Sequence, residues 1–137
     1  MARYVIDPDV ALHLARNAIA ITDEHQILAP TLFRSQVLST LFQYVRSGRL
    51  TQEEAKRQLT YVRALRLRLL GDRVLQDVAW KIADQLGWSD TFQAEYIALT
   101  QLPADAFITL DRKLADSAKE LIALAPIEVL RRRTGER

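Results

Sequence analysis

The fold of this chain is indicated by two short segments, FITLD at residues 107–111 and YVID at residues 4–7. Each is an apolar run rich in β-branched residues that ends at an aspartate. Such runs are typical of buried strands in a parallel sheet. Because ligands of open α/β sheets bind beyond the carboxyl ends of the strands, Asp7 and Asp111 are predicted to meet at one edge of the sheet. There the two carboxylates could share a divalent cation.

The composition is that of an ordinary globular domain. The chain has 137 residues, of which 49% are apolar and 26% charged, enough for one domain with a real core. Because cysteine is absent, disulfide scaffolds, thiolate zinc sites and cysteine nucleophiles are excluded. The residues after Met1 lack the apolar stretch of a signal peptide, and no apolar run is long enough to cross a bilayer. We therefore expect a cytoplasmic protein with no membrane partner.

Short apolar runs alternate along the chain with longer amphipathic segments. Strands are predicted at residues 3–6, 27–29 and 106–110, with a last strand-like run at 127–130. Helices are predicted after Pro8, at about 31–47, from Thr51 to Gly71, up to a C-terminal Gly87, from Asp90, and at about 112–123. Thr51 and Glu54 have the spacing of a capping box. The alternation predicts an α/β fold in which helices flank a parallel sheet.

The net charge is only +2, but arginines cluster in two places. These are Arg63, Arg66, Arg68 and Arg73 in the middle, and Arg131, Arg132, Arg133 and Arg137 at the end. Such clusters can hold a phosphate backbone, and they are equally typical of a solvated helix face and a frayed terminus. We assign residues 1–130 to a single domain and residues 131–137 to a basic C-terminal tail.

Four segments, in this order, resemble the PIN domain, and especially the VapC toxins of VapBC toxin–antitoxin modules. They are YVID at 4–7, APTLFRSQ at 29–36, FQAEYIAL at 92–99 and ITLD at 108–111. The resemblance covers essentially the whole chain, and its specificity comes from the ordered set rather than from any one segment. It implies a three-layer α/β/α fold with a short parallel central sheet. It also implies a bacterial, Mg²⁺- or Mn²⁺-dependent RNA endonuclease, usually a homodimer, that is inhibited by a small antitoxin protein.

Members of this family carry four acidic residues around the metal, and this chain matches two of them. The first falls on Asp7 and the last on Asp111, whereas the second and third fall on Gln36 and Gln93. Mg²⁺ prefers anionic oxygen, so the loss of two negative charges should weaken its binding. It also removes groups that orient or deprotonate the attacking water, a role worth roughly 10²–10⁴-fold in rate. The candidate catalytic set is Asp7, Asp111, Gln36 and Gln93, with Asp7 and Asp111 as the metal ligands.

Three other acids are candidates to compensate for the two glutamines. In order of preference they are Asp90, one turn before Gln93, then Asp9, just past the first strand, then Asp116, on the helix after Asp111. Glu95 lies about 200° around the helix from Gln93, which makes it a poor substitute.

Each of these positions also has a purely structural interpretation. Asp7 before Pro8 and Asp111 before its helix are both typical N-cap residues. Asp90 with Gln93 fits a capping box. Gln36 belongs to a polar stripe of one helix that could simply face water, together with Thr40, Gln43 and Ser47.

On the nuclease hypothesis, the cation activates water and polarises the scissile phosphate. Arg34, Arg112 and Lys113 flank the predicted cleft and are candidate contacts to the RNA backbone. Helices around residues 44–61 would form the dimer or antitoxin surface. The alternative is a catalytically inactive PIN-fold protein that binds RNA or a protein partner, which the two glutamines favour. A third possibility is that one or both glutamines were introduced to silence a toxic enzyme.

Overall fold

The computed structural model describes residues 1–135, which form four strands, six α-helices and one short 3₁₀ helix. In chain order the elements are β1 (Arg3–Ile6), α1 (Pro8–Arg16), β2 (Gln26–Pro30), α2 (Phe33–Arg46), α3 (Gln52–Ala64), β3 (Leu67–Leu70), α4 (Arg73–Leu86), α5 (Phe92–Gln101), β4 (Ala106–Ile108), α6 (Arg112–Ala118) and the 3₁₀ helix (Ile127–Leu130).

The four strands form one parallel sheet in the order β3-β2-β1-β4. The first and last strands of the chain are therefore neighbours, with Ile6 opposite Ile108. Because parallel strands end at the same edge, the residues that follow Ile6 and Ile108 emerge side by side. This confirms the predicted α/β fold with a short parallel central sheet flanked by helices.

The helices pack in two groups. Helices α1, α2 and α3 pack against one another, whereas α4 packs against α5. Helix α5 also contacts β1, β2 and β4, and its residues from Tyr96 to Thr100 are all buried. A helix that is apolar on nearly every side is typical of a core position. Helix α5 thus places its first turn, with Gln93, near the carboxyl ends of the central strands.

One strand differs from the sequence prediction. The helix predicted to run from Thr51 to Gly71 ends at Ala64, and Leu67–Leu70 is the edge strand β3, paired with β2. The helical spacing of Leu59, Val62 and Leu65 continues to Leu69, and this hid the strand. Its signal is the alternation of half-buried Leu67 and Leu69 with exposed Arg68, which is typical of a strand with one face on the core.

The chain after α6 also differs from the prediction. Residues 127–130 form a 3₁₀ helix after Pro126 instead of a strand, and α6 ends at Ala118 rather than near 123. Residues 123–125, before Pro126, are the segment that pairs with β4. The N–H of Phe107 donates to the carbonyl of Ala123, and the N–H of Ala125 donates to the carbonyl of Phe107, both at 3.0 Å.

The first residues of the predicted tail at 131–137 lie against the connection between α1 and β2. Arg131 forms an antiparallel bridge with Ile21, and the N–H of Arg132 donates to the carbonyl of Ala20 at 2.8 Å. Residues 136 and 137 lie outside the described residues. Between residues 1 and 135, no helix combines the length and apolar character needed to span a membrane.

Candidate functional site

A cleft of about 270 Å³ opens beyond the carboxyl ends of β1 and β4. The structure brings the four residues of the predicted catalytic set to its walls, namely Asp7, Gln36, Gln93 and Asp111. The other lining residues are Pro8, Asp9, Ser39, Thr40, Tyr96 and Leu114. Residues from the start of α1 and from α2, α5 and α6 therefore converge on one small volume.

Asp7 is the most buried acid of the cleft, with 6% of its surface exposed. Its Oδ1 accepts the N–H of Val10 at 3.0 Å, which makes Asp7 the N-cap of α1. Its Oδ2 accepts the hydroxyl of Thr109 at 2.6 Å. Asp7 is therefore both the N-cap of α1 and a wall of the cleft, so the two interpretations of this residue are compatible.

Burial raises the pKa of Asp7 to about 6. The hydrogen bonds from Thr109 and Val10 act in the opposite direction, and the nearby charges of Asp9 and Asp111 raise the pKa further. No basic side chain between residues 1 and 135 forms an ion pair with Asp7. A buried carboxylate with acidic neighbours and no cationic partner is an environment in which a metal cation would be stabilised.

Asp111 is the N-cap of α6, as its structural interpretation predicted. Its Oδ1 accepts the N–H of Leu114 at 3.1 Å. Its own N–H donates to the hydroxyl oxygen of Thr109 at 3.2 Å. The single hydroxyl group of Thr109 thus makes hydrogen bonds with both aspartates.

Gln36 is held by Tyr96 on α5. The Tyr96 hydroxyl donates to Oε1 of Gln36 at 2.5 Å, and burial, with the charges of Asp7, Glu95 and Asp9, raises the pKa of that hydroxyl. Oε1 is the one atom of a glutamine side chain that can bind a hard cation. The bond uses one of the two lone pairs of that oxygen, so it makes Gln36 less available as a ligand without excluding that role. Gln93, in contrast, is exposed on the first turn of α5.

The structure places only one of the three compensating acids in the cleft, and that acid is Asp9. Asp90 lies in a separate depression beside Trp80 and Trp88, where its Oδ1 accepts the N–H of Phe92. Asp116 is exposed, 4.0 Å from Lys119. The preference for Asp90 was wrong because α5 begins only at Phe92, so Asp90 shares no helix face with Gln93. For the same reason Asp90 and Gln93 form no capping box; the N-cap is Thr91.

The predicted backbone contacts lie outside the walls of the cleft. Arg112 and Lys113 are exposed on the first turn of α6, directly after Asp111. Arg34 lies in another depression, between α2 and α3, with Leu59 and Arg63. Arg112 and Lys113 therefore remain candidates at the rim, whereas Arg34 faces a different surface.

Sequence reasoning missed Thr109 and Tyr96. Thr109 has a sequence signal, since it is a hydroxyl residue that interrupts an apolar strand two positions before Asp111. Tyr96 lies three positions after Gln93, on the same side of its helix, but its bond to Gln36 spans 60 positions. No local pattern predicts that contact.

The cleft suits a hard cation that keeps part of its water shell better than one that is coordinated entirely by protein groups. No three histidine, cysteine, aspartate or glutamate side chains within residues 1–135 are grouped so that they could hold a metal ion. Mg²⁺ keeps several waters and is usually held by one or two carboxylates together with substrate phosphates. Asp7 and Asp111 meet that requirement, and exposed Gln93 adds a neutral oxygen at the rim.

The fold is similar to two solved structures. PAE2754 from Pyrobaculum aerophilum superposes with a TM-score of 0.71 at 22% identity, covering 93% of this chain and 90% of that one. The VapC chain of VapBC2 from Rickettsia felis, solved bound to a DNA fragment from their promoter, gives a TM-score of 0.56 at 17% identity, covering 90% and 98%.

This chain has a PIN-like fold. The similarity extends over nearly all of this chain and of both neighbours. No protein-family model matches the sequence, and no curated protein is significantly similar to it. At these identities the likeness concerns the PIN-like fold alone.

Proposed function

We propose that this protein is a VapC-like PIN-domain toxin, a divalent-metal-dependent RNA endonuclease whose metal site is weakened by Gln36 and Gln93. The observation that carries the proposal is the convergence of Asp7 and Asp111, more than a hundred positions apart, on one cleft of a PIN-like fold. Raised carboxylate pKa values in a cleft are typical of functional sites.

Each residue of the cleft has a separate role in this proposal. Asp7 and Asp111 would hold Mg²⁺ or Mn²⁺, which supplies charge neutralisation and Lewis acidity at the scissile phosphate when bound. The bonds from Val10 and Thr109 fix the Asp7 carboxylate, so no rotamer search is needed on binding. Asp9 is the remaining carboxylate of the cleft and would orient a water or accept its proton.

The partners follow from the same proposal. The substrate is RNA, with Arg112 and Lys113 at the rim as backbone contacts. A small antitoxin protein would inhibit the nuclease, as the paired name of the VapBC2 neighbour suggests. We further propose a cytoplasmic homodimer. The surface of α2 and α3 between residues 44 and 61 is the proposed contact for the antitoxin.

Mn²⁺ binding and RNA cleavage test the proposal together. Calorimetry should show Mn²⁺ binding that is lost in Asp7→Asn and in Asp111→Asn, and cleavage of single-stranded RNA should require the metal. Asp116→Asn is the matched control, because it removes an exposed carboxylate outside the cleft. Equal Mn²⁺ affinity in all three variants would contradict the assignment of the ligands.

A second candidate function is a PIN-fold protein that binds RNA or a partner protein without cutting. It is favoured by the engagement of the Gln36 oxygen by Tyr96 and by the lack of a three-acid group in the described part of the chain. This alternative predicts RNA or partner binding that is unaffected by chelation of metal, with no cleavage at any Mn²⁺ concentration.

A further inference from the structure

A second pocket, of about 380 Å³, adjoins the cleft. Asp9 and Asp111 line both, and Arg16, Tyr44 and Leu110 line only the second, with Leu12. We propose that this pocket takes the base of the nucleotide next to the scissile phosphate of a single-stranded RNA. The proposal rests on the nuclease function proposed above and names the subsite that positions its substrate.

The walls of the pocket suit a planar, uncharged ring. Leu110 is 45% exposed although it directly precedes a cleft aspartate, and Tyr44 contributes an aromatic surface. Bases of single-stranded nucleic acids stack on aromatic side chains, and such stacking tolerates any base because each base has a π face. The volume lies within the range of about 300–1,000 Å³ that small-molecule sites occupy.

The ring of Tyr44 is held in place. The guanidinium of Arg49 lies 4.2 Å from the ring centroid, which is a cation–π contact on one face. The carbonyl of Tyr44 accepts the N–H groups of Arg49 and Leu50, which close the turn after α2. Because the Arg49 contact favours one ring position and the turn anchors the backbone, the side chain loses little conformational entropy when a base stacks on the other face.

The charges that line the pocket indicate where a base and where a phosphate would bind. Asp9 and Asp111 repel phosphate on the side shared with the cleft, where a neutral base is acceptable. Arg16, at the end of α1, is the cation of the pocket, and no acid within residues 1–135 pairs with it. Its backbone is anchored, since Arg57 donates to the carbonyls of Ala15 and Arg16 at 2.9 and 3.4 Å. Arg16 is therefore placed to bind the outer phosphate of the same nucleotide.

Binding of a fluorophore-labelled RNA hexamer tests the pocket. The measurement is fluorescence anisotropy with the full chain in Ca²⁺, with a gel to confirm that the RNA stays intact. Tyr44→Leu should raise the Kd about tenfold, within the range expected for one stacked base. Tyr44→Phe, which keeps the ring, should restore binding. Phe42→Leu is the matched control on the same helix: Phe42 is 64% exposed and about 200° away from Tyr44.

A duplex RNA of the same sequence should compete poorly with the hexamer, because its phosphates are present but its bases are already stacked. Equal binding by Tyr44→Leu and Phe42→Leu, or competition by the duplex as strong as by the single strand, would overturn the base pocket. If the wild type meanwhile binds Mn²⁺ and cleaves RNA, the nuclease proposal stands alone. If it does neither, the nuclease proposal falls, and the comparison of the two leucine variants still decides whether the pocket holds a base.

Discussion

The hydroxyl of Thr109 donates a 2.6 Å hydrogen bond to Oδ2 of Asp7 and so joins the end of β4 to the end of β1. The same hydroxyl oxygen accepts the N–H of Asp111 at 3.2 Å. One side chain therefore bonds to the carboxylate of Asp7 and to the backbone of Asp111. Burial disfavours the charged form of Asp7, and the hydrogen bonds from Thr109 and Val10 favour it.

Thr109→Val should lower the free energy of unfolding by about 1–3 kcal/mol, since it leaves a buried carboxylate with one bond fewer at nearly constant volume. The pKa of Asp7 should rise further, because the Thr109 bond lowers it in the wild type. Urea denaturation measures the first effect and an NMR titration the second. In Thr60→Val the lost hydroxyl bonds only to the Lys56 carbonyl on an exposed helix face, so a loss as large as that of Thr109→Val would argue against a special role for Thr109.

Asp7→Asn should stabilise the metal-free protein above about pH 6. The pKa of Asp7 is near 6 in the folded state and near 3.8 when unperturbed, so the folded state favours the protonated acid. The contribution of Asp7 to the stability of the folded state is therefore fully present below about pH 4, where the side chain is protonated in both states, and it is lost as the pH rises to about 6. At 1.36 kcal/mol per pKa unit, the gain for Asp7→Asn approaches about 3 kcal/mol above that range.

Denaturation curves of Asp7→Asn between pH 3.5 and 7.5, with a chelator present, measure this effect. The asparagine still caps α1, because its oxygen can accept the N–H of Val10. Asp116→Asn, at an exposed site, should leave the pH profile as it is. Identical profiles for Asp7→Asn and the wild type would show that Asp7 ionises without cost in the folded protein.

Gln93→Asp should bind Mn²⁺ at least about tenfold more tightly than the wild type, because it adds a negative charge to the cleft wall. Gln36→Glu should act in the same direction, since the Tyr96 hydroxyl can donate to a carboxylate as it does to the amide. The double variant should cleave RNA roughly 10²-fold faster if a lost acid limits the rate. Gln43→Glu adds the same charge to α2 outside the cleft, and an equal gain there would mean that bulk charge is responsible.

Thr51→Ala should destabilise the fold by about 0.5–2 kcal/mol through loss of a helix cap. The Thr51 hydroxyl accepts the N–H of Glu54 at 3.1 Å, as the predicted capping box requires. The Glu54 carboxylate is bound instead to Arg57 at 2.6 Å. Thermal melting of Thr51→Ala, compared with Thr60→Ala inside the same helix, isolates the cap. Equal melting temperatures would mean that Thr51 adds nothing to the start of α3.

The parts of the fold that sequence predicted well are those with a strong local signal. Strands β1, β2 and β4 are apolar runs, the αL residue Gly87 ends α4 as predicted, and Asp7 caps α1 in front of Pro8. The pairing of Asp7 with Asp111 in one cleft followed from a general property of parallel sheets, namely that strand ends share an edge.

The parts that sequence did not predict depend on contacts far along the chain. Strand β3 pairs with the edge of β2, and because Leu69 also continues the helical spacing of the preceding residues, the local pattern alone did not separate the strand from the helix. The segment at 123–125 pairs with β4 although it is short and precedes a proline. Likewise, the side chain of Gln36 on α2 is oriented by a hydrogen bond from Tyr96, which lies on α5.

The strand order has a consequence for the synthesis of this protein. Strand β4 follows β1 by about a hundred residues in the chain, yet these two strands are neighbours and their ends form the cleft. A nascent chain on the ribosome therefore has no complete cleft until β4 and Asp111 have emerged. On the proposed function, an unfinished chain that lacks Asp111 has no metal site and should not cleave the messenger from which it is being translated.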